Sequence, residues 1–128
     1  GATRNGTPIG VSGISAIADA RVEVDFGSRP KREGSLTRFD DLLRASGALR
    51  CFGSAAMGLC AVATGDSDAY LNVALAPWDY AAGILLVTES GGTATRPDGQ
   101  AIHLFSDDQG IVATNGRLHE EAVARVRV

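Results

Sequence analysis

The stretch Pro77-Trp78-Asp79-Tyr80-Ala81-Ala82-Gly83-Ile84-Leu85-Leu86-Val87-Thr88-Glu89-Ser90-Gly91-Gly92 decides the fold. Pro77 interrupts what precedes it, and a helix is expected from Asp79 to about Ser90, where the paired glycines stop it. Ile84, Leu85, Leu86 and Val87 make this helix apolar on nearly every side, so it is expected to be covered all round.

Upstream, Asp68 to Val73 reads as a strand. Before it lies a helix over Ala55 to Thr64 that stops at Gly65, preceded by an extended piece, Ala48 to Phe52, and a Gly53-Ser54 turn. Further back, Ser35 is expected to cap a helix with apolar positions Leu36, Phe39, Leu42 and Leu43, after a turn-forming segment from Ser28 to Gly34. Arg21-Val22-Glu23-Val24-Asp25-Phe26 alternates as a half-buried strand ending at Gly27, and Asn5-Gly6 before Pro8 marks a tight turn. Downstream, a short strand leads to the turn Pro97-Asp98-Gly99, a second strand covers Gly110 to Ala113, and Leu118 to Val126 forms a closing amphipathic helix. Strands alternating with helices predict an α/β domain over residues 1–128, a mixed, largely parallel sheet flanked by helices. Ligands are then expected where strands hand over to helix N-termini.

The 128 residues suit one domain with a real core, and 45% hydrophobic with 21% charged residues describes a folded, soluble chain. Lys and Arg number 12 against 15 Asp and Glu, so no basic excess points to nucleic acid or an anionic membrane. No apolar run approaches the roughly 20 residues that span a bilayer, and the first residues lack a signal-peptide pattern, so a cytoplasmic location is expected. Cys51 and Cys60 are expected to be buried, reduced thiols.

Two strand-to-helix turns are placed for chemistry, Arg50-Cys51-Phe52-Gly53-Ser54-Ala55-Ala56 and Pro77-Trp78-Asp79-Tyr80-Ala81-Ala82-Gly83. Helix N-terminal amides there favour an anionic or hydroxyl-rich ligand, and Gly53 with Ala55 lets it approach the backbone closely. The plain alternative is capping by Ser54, which composition and spacing alone favour. Asp79 faces the same choice. Its carboxylate either accepts from the amides of Ala81 or Ala82, or binds a hard divalent cation, of which it would be one of about six oxygen ligands. His103, read in a strand, and His119, read in a helix, have no ligand set around them. The pairs Asp40-Asp41, Asp107-Asp108 and Glu120-Glu121 diverge on a helix surface and read as solvated charges. Gly-x-Ser-x-Gly elbows, P-loops and dinucleotide fingerprints are absent.

At the same two turns the sequence resembles the inositol monophosphatase family. R-C-F-G-S-A-A and W-D-Y-A-A-G-I-L-L-V-T-E-S-G-G look like its paired motifs, and the likeness extends through G-A-T-R-N-G-T-P-I, L-C-A-V-A-T-G-D-S-D-A-Y-L and I-V-A-T-N. The resemblance implies the C-terminal subdomain of an α-β-α-β-α fold and a phosphoric monoester hydrolase that uses more than one Mg²⁺ and is inhibited by Li⁺. It gives Asp79 a catalytic, metal-binding and substrate-contacting role, and makes Gly53, Ser54, Ala55 and Asn72 substrate-binding. It also implies a small phosphorylated substrate and a homodimer.

Relatives specific for inositol phosphates commonly carry Glu seven residues before that Asp, where this chain has Asn72. An amide has one acceptor oxygen and two donors, so it does not accept from two neighbouring hydroxyls as a carboxylate does. Inositol, fructose bisphosphate, histidinol and nucleotide phosphates stay open as substrates. The family's upstream Glu ligand and D-P-x-D-G-T motif occur nowhere in the chain, and Pro97-Asp98-Gly99 is only a turn. The expectation is therefore a partial chain, inactive alone, whose N-terminal half brings most metal ligands. The alternative is a non-catalytic sugar-phosphate-binding or dimerisation domain.

Overall fold

The computed structural model describes residues 1–106 and 109–127. Asn5 and Gly6 take left-handed backbone (φ 52° and 80°) and join β1 (Thr3–Arg4) to β2 (Thr7–Pro8) in a hairpin, the turn that Asn-Gly favours. A five-stranded mixed sheet follows: β3 (Arg21–Asp25), β4 (Ala48–Arg50), β5 (Ala69–Leu75), β6 (Thr93–Thr95) and β7 (Gln109–Thr114), in the order β4-β3-β5-β7-β6. β3 pairs parallel with β4 and β5, whereas β7 runs antiparallel to β5 and β6. The parallel half is built by right-sized helical crossovers: α1 (Arg29–Ala45) between β3 and β4, and α2 (Ala55–Thr64) between β4 and β5. α3 (Pro77–Glu89) and α4 (His119–Ala124) complete the helices.

Side chains alternate across the strands and so divide the core into two layers. Val22, Val24, Ala69, Leu71 and Val112 pack with Phe39 and Leu42 of α1 and with Leu118, Ala122 and Val126. On the opposite face Tyr70, Ile111 and Ala113 meet Leu59, Val62 and Ala63 of α2 and Tyr80 and Val87 of α3. α2 lies close on β5 because Gly58 carries no side chain, and a methyl there would strike the Tyr70 ring; α3 lies close to α2 because Gly83 carries none, and a methyl there would strike Leu59.

Several expectations are corrected. α1 starts at Arg29, not after Ser35. Pro30 is tolerated in the first turn, and Lys31, Arg32 and Glu33 are good helix formers. Ser35 is buried inside the helix, its hydroxyl donating to the Phe26 and Lys31 carbonyls at 3.0 and 3.3 Å. α3 begins two residues before Asp79. It is not covered all round among the described residues: Trp78 and Leu85 are 83% and 61% exposed, because the sheet takes only the Tyr80, Gly83 and Val87 stripe.

His103 lies in a loop, not a strand. Its carbonyl accepts from the Tyr80 hydroxyl at 3.0 Å and from the Gln109 amide, whose oxygen in turn accepts from the His103 N–H. Cys51 is exposed and Cys60 half-buried, both free thiols, because each sits where α2 and its leading turn face outward. His119 starts α4, where burial lowers its pKa and its ring nitrogens sit 3.0 and 3.2 Å from the hydroxyls of Thr95 and Thr114. No described helix is long and apolar enough to cross a membrane.

Candidate active site

β3 and β5 end at the same sheet edge because they are parallel, and the register sets Asp25 beside Asn72. Three helices start there: α1 after Ser28, α2 after Ser54 and α3 after Ala76. Their N-terminal amides open on one cleft of about 780 Å³, within the range of small-molecule sites. Gly53, Ser54, Ala55, Asn72 and Asp79 all line it, so the structure brings together every site residue expected from sequence.

Gly53, Ser54, Asn72 and Asp79 are each held by a specific contact. Gly53 has φ 71°, and its N–H donates to Asp25 Oδ1 at 2.9 Å, which fixes the turn before α2. Ser54 does cap: its hydroxyl accepts from the Met57 N–H at 3.3 Å. Asp79 caps differently from the expectation. It is the third residue of α3, so its carboxylate reaches back to accept from the Ala76 N–H at 3.0 Å, while its own N–H donates to the Ala76 carbonyl at 2.9 Å. The amides of Ala81 and Ala82 lie too far along the helix to be reached from its third position. Asp79 remains exposed on the cleft wall.

Asp25 is the residue that sequence reasoning missed. It is 8% exposed. Besides Gly53 it accepts from the Tyr70 hydroxyl at 2.8 Å, with the Cys51 thiol 3.8 Å away. Burial, and then the Asp25 charge, push the Tyr70 phenol well above its ordinary pKa, so it stays protonated and donates. The same hydroxyl accepts from Asn72 Nδ2 at 3.2 Å, and Asn72 Oδ1 accepts from the Ala74 N–H at 2.9 Å. Glu23, two residues earlier on the same face, is 1% exposed. Burial raises its pKa, partly offset by the Ser67 hydroxyl at 3.3 Å and by Arg50.

Lys31 and Arg32 also line the cleft and were not anticipated, because the segment carrying them reads as a turn. The available signal was that parallel strands end where ligands bind, which marks Asp25 and the residues just after it. Removing the Tyr70 hydroxyl leaves a nearly buried carboxylate one donor short. Tyr70→Phe is therefore expected to cost about 1–2 kcal/mol of stability in urea denaturation; an unchanged midpoint would deny the network that role.

The other acidic pairs among the described residues stay outside the cleft. Asp40 pairs with Arg44 at 2.8 Å, and Asp41 and Glu121 pair with Arg125 at 3.2 and 3.0 Å; Asp107-Asp108 lies outside the described residues. Among the described residues, no three His, Cys, Asp or Glu side chains converge as a metal-binding group. Asp79 fits such a role as a single oxygen donor, an exposed carboxylate in a cleft ringed by helix N-termini.

The sequence profile described as "Inositol monophosphatase family" matches residues 1–128. The chain is 36% identical to the protein named phosphatase IMPL1, chloroplastic, of Arabidopsis thaliana, over 98% of this chain and 34% of that one. It is 36% identical to the inositol-1-monophosphatase of Synechocystis sp., over 94% of this chain and 42% of that one. The solved inositol monophosphatase of Anabaena (Nostoc) superposes with a TM-score of 0.88 at 33% identity, covering 98% of this chain and 52% of that one. The chain thus spans about a third to a half of these relatives and aligns to their C-terminal part.

Proposed function

The chain belongs to the inositol monophosphatase family, and from that premise we propose that its cleft is part of the active site of a Mg²⁺-dependent phosphomonoesterase. The observation that carries the proposal is Asp79 at the start of α3, across one cleft from the Gly53–Ser54 start of α2. Helix N-termini on three sides favour a phosphate, and their amides sit where negative charge gathers on phosphoryl oxygens.

In this reading Ser54 and Ala55 present backbone to the substrate, with Gly53 held in place by Asp25. Asn72 orients the wall opposite α2 through Tyr70 and Ala74. Asp79 supplies one oxygen to the metal and contacts a substrate hydroxyl. Bound Mg²⁺ supplies charge neutralisation at the phosphate and lowers the pKa of water to make it a nucleophile. Its other ligands come from substrate, water and residues other than the described ones.

The test is phosphate release from inositol 1-phosphate and other small phosphate esters by the whole protein, with Mg²⁺ and after chelation. Release that stops on chelation is expected, and no release with Mg²⁺ present would overturn the reading. That result would favour the second one, a sugar-phosphate-binding or assembly domain, for which the single exposed carboxylate in the cleft speaks.

A further inference from the structure

We propose that Asp25, Tyr70 and Asn72 are positioning residues for the reaction: one chain of hydrogen bonds ties the start of α2 to the bend that delivers Asp79, and so sets the gap across the cleft. The inference deepens the phosphatase reading of this site and rests on it. The bend is a β-bulge. β5 and β7 are in register at Asn72 with Ile111 and again at Leu75 with Gln109, so Val73 and Ala74 stand opposite the single residue Gly110. Just beyond the bulge β5 ends and α3 begins, and there the Ala76 N–H holds the Asp79 carboxylate at 3.0 Å.

The bulge is held from two sides. On one side the bare backbone of Gly110 lets β7 close on it, since a side-chain carbon there would meet the Asn72 and Val73 carbonyl oxygens at 2.9 and 3.0 Å. On the other, Asn72 Oδ1 accepts from the Ala74 N–H at 2.9 Å, a side-chain turn that gives the bulged amide a partner. Asn72 is fixed in its turn. Its amide nitrogen donates to the Tyr70 hydroxyl at 3.2 Å, that hydroxyl donates to Asp25 Oδ2 at 2.8 Å, and Asp25 Oδ1 accepts from the Gly53 N–H at 2.9 Å. Four bonds therefore run unbroken from the backbone of residue 74 to that of residue 53. The three side chains between are 4%, 1% and 8% exposed, so breaking one link strands a buried partner and loosens the next. Asn72 commits its one acceptor oxygen inside this chain, which suits it to holding the wall rather than to receiving substrate hydroxyls. Catalysis by positioned groups falls steeply with small displacements, so slack here is felt in the chemical step more than in binding.

The experiment uses Tyr70→Phe and Asn72→Ala, singly and together, in the whole protein, with two readouts. The first is backbone hydrogen exchange in Mg²⁺-free buffer. Each single variant is expected to speed exchange at both Ala74 and Gly53 about fivefold or more, beyond any change at the Ala122 N–H, which bonds to Leu118 in the other core layer. Gly53 bonds to Asp25 rather than to either substituted residue, so its response reads the coupling. The second readout is steady-state phosphate release. Each single variant should lower kcat about tenfold with KM nearly unchanged, and the double variant should lose no more than the worse single one, because both cut the same chain. A Gly53 amide that does not respond, acceleration shared equally by Ala122, losses that multiply, or a KM that rises while kcat holds would overturn the proposal; the last would make Asn72 a substrate contact. A parent protein that releases no phosphate sinks the phosphatase reading and this inference with it, whereas release that both variants leave intact counts against this inference alone.

Discussion

Asp79→Asn is expected to lower Mg²⁺-dependent phosphate release by the whole protein about a hundredfold to a thousandfold, with stability nearly unchanged. The two halves of that expectation separate the roles open to this residue. As a cap, Asp79 only accepts from the Ala76 N–H at 3.0 Å, and an asparagine oxygen of the same shape still does so. The cap therefore survives at a cost of a few tenths of a kcal/mol, the lost attraction of a carboxylate to the helix N-terminus. As a metal ligand, Asp79 contributes a full negative charge that the amide lacks. Steady-state phosphate release and a thermal melt, run together, read the two roles. Activity retained in the folded variant would return Asp79 to capping alone.

Gly58→Ala is expected to destabilise the fold by about 2–3 kcal/mol, seen as a lower urea midpoint. The sign is a contest between two effects. Alanine in a helix interior gains up to about 1 kcal/mol over glycine. Against that, the new methyl meets the Tyr70 ring, which is 1% exposed and cannot swing away without breaking hydrogen bonds to Asp25 and Asn72. A flexible chain end would yield; a locked aromatic ring moves the backbone instead. The substitution should also blunt phosphate release, because Asp25 then loses its grip on Gly53. An unchanged or raised midpoint would show that α2 does not press on Tyr70 in this way.

What the sequence disclosed follows how local each cause is. α2 was legible from end to end, since Ser54 and Gly65 punctuate it and its cap spans three residues. The Asn5-Gly6 hairpin was legible for the same reason. α1 was not. Pro30 and Gly34 resemble a turn in isolation, and only Phe39 and Leu42 packing on the sheet carry the helix back to Arg29. That error hid a third helix N-terminus and two basic residues from the site. Asp25 was invisible for a different reason. Its partners Gly53 and Tyr70 lie 28 and 45 residues away, and only the pairing of β3 with β4 and with β5 joins them. The exposed side of α3 was misread because apolar residues on a helix declare hydrophobicity, not which of them finds a neighbour.

The place of β7 in the sheet bears on how the chain reaches this structure. β7 is the last strand in the sequence, yet it lies between β5 and β6 and pairs with both. While the chain is being synthesised from its N-terminus, β3, β4 and β5 can assemble with α1 and α2 before β7 exists. Throughout that interval β5 is a bare edge, offering the unpaired amides and carbonyls of Ala69 to Asn72 to any other strand nearby. The central strand of the finished sheet is thus the most vulnerable one on the ribosome, and the arrival of residues 109–114 closes the window for mispairing and aggregation.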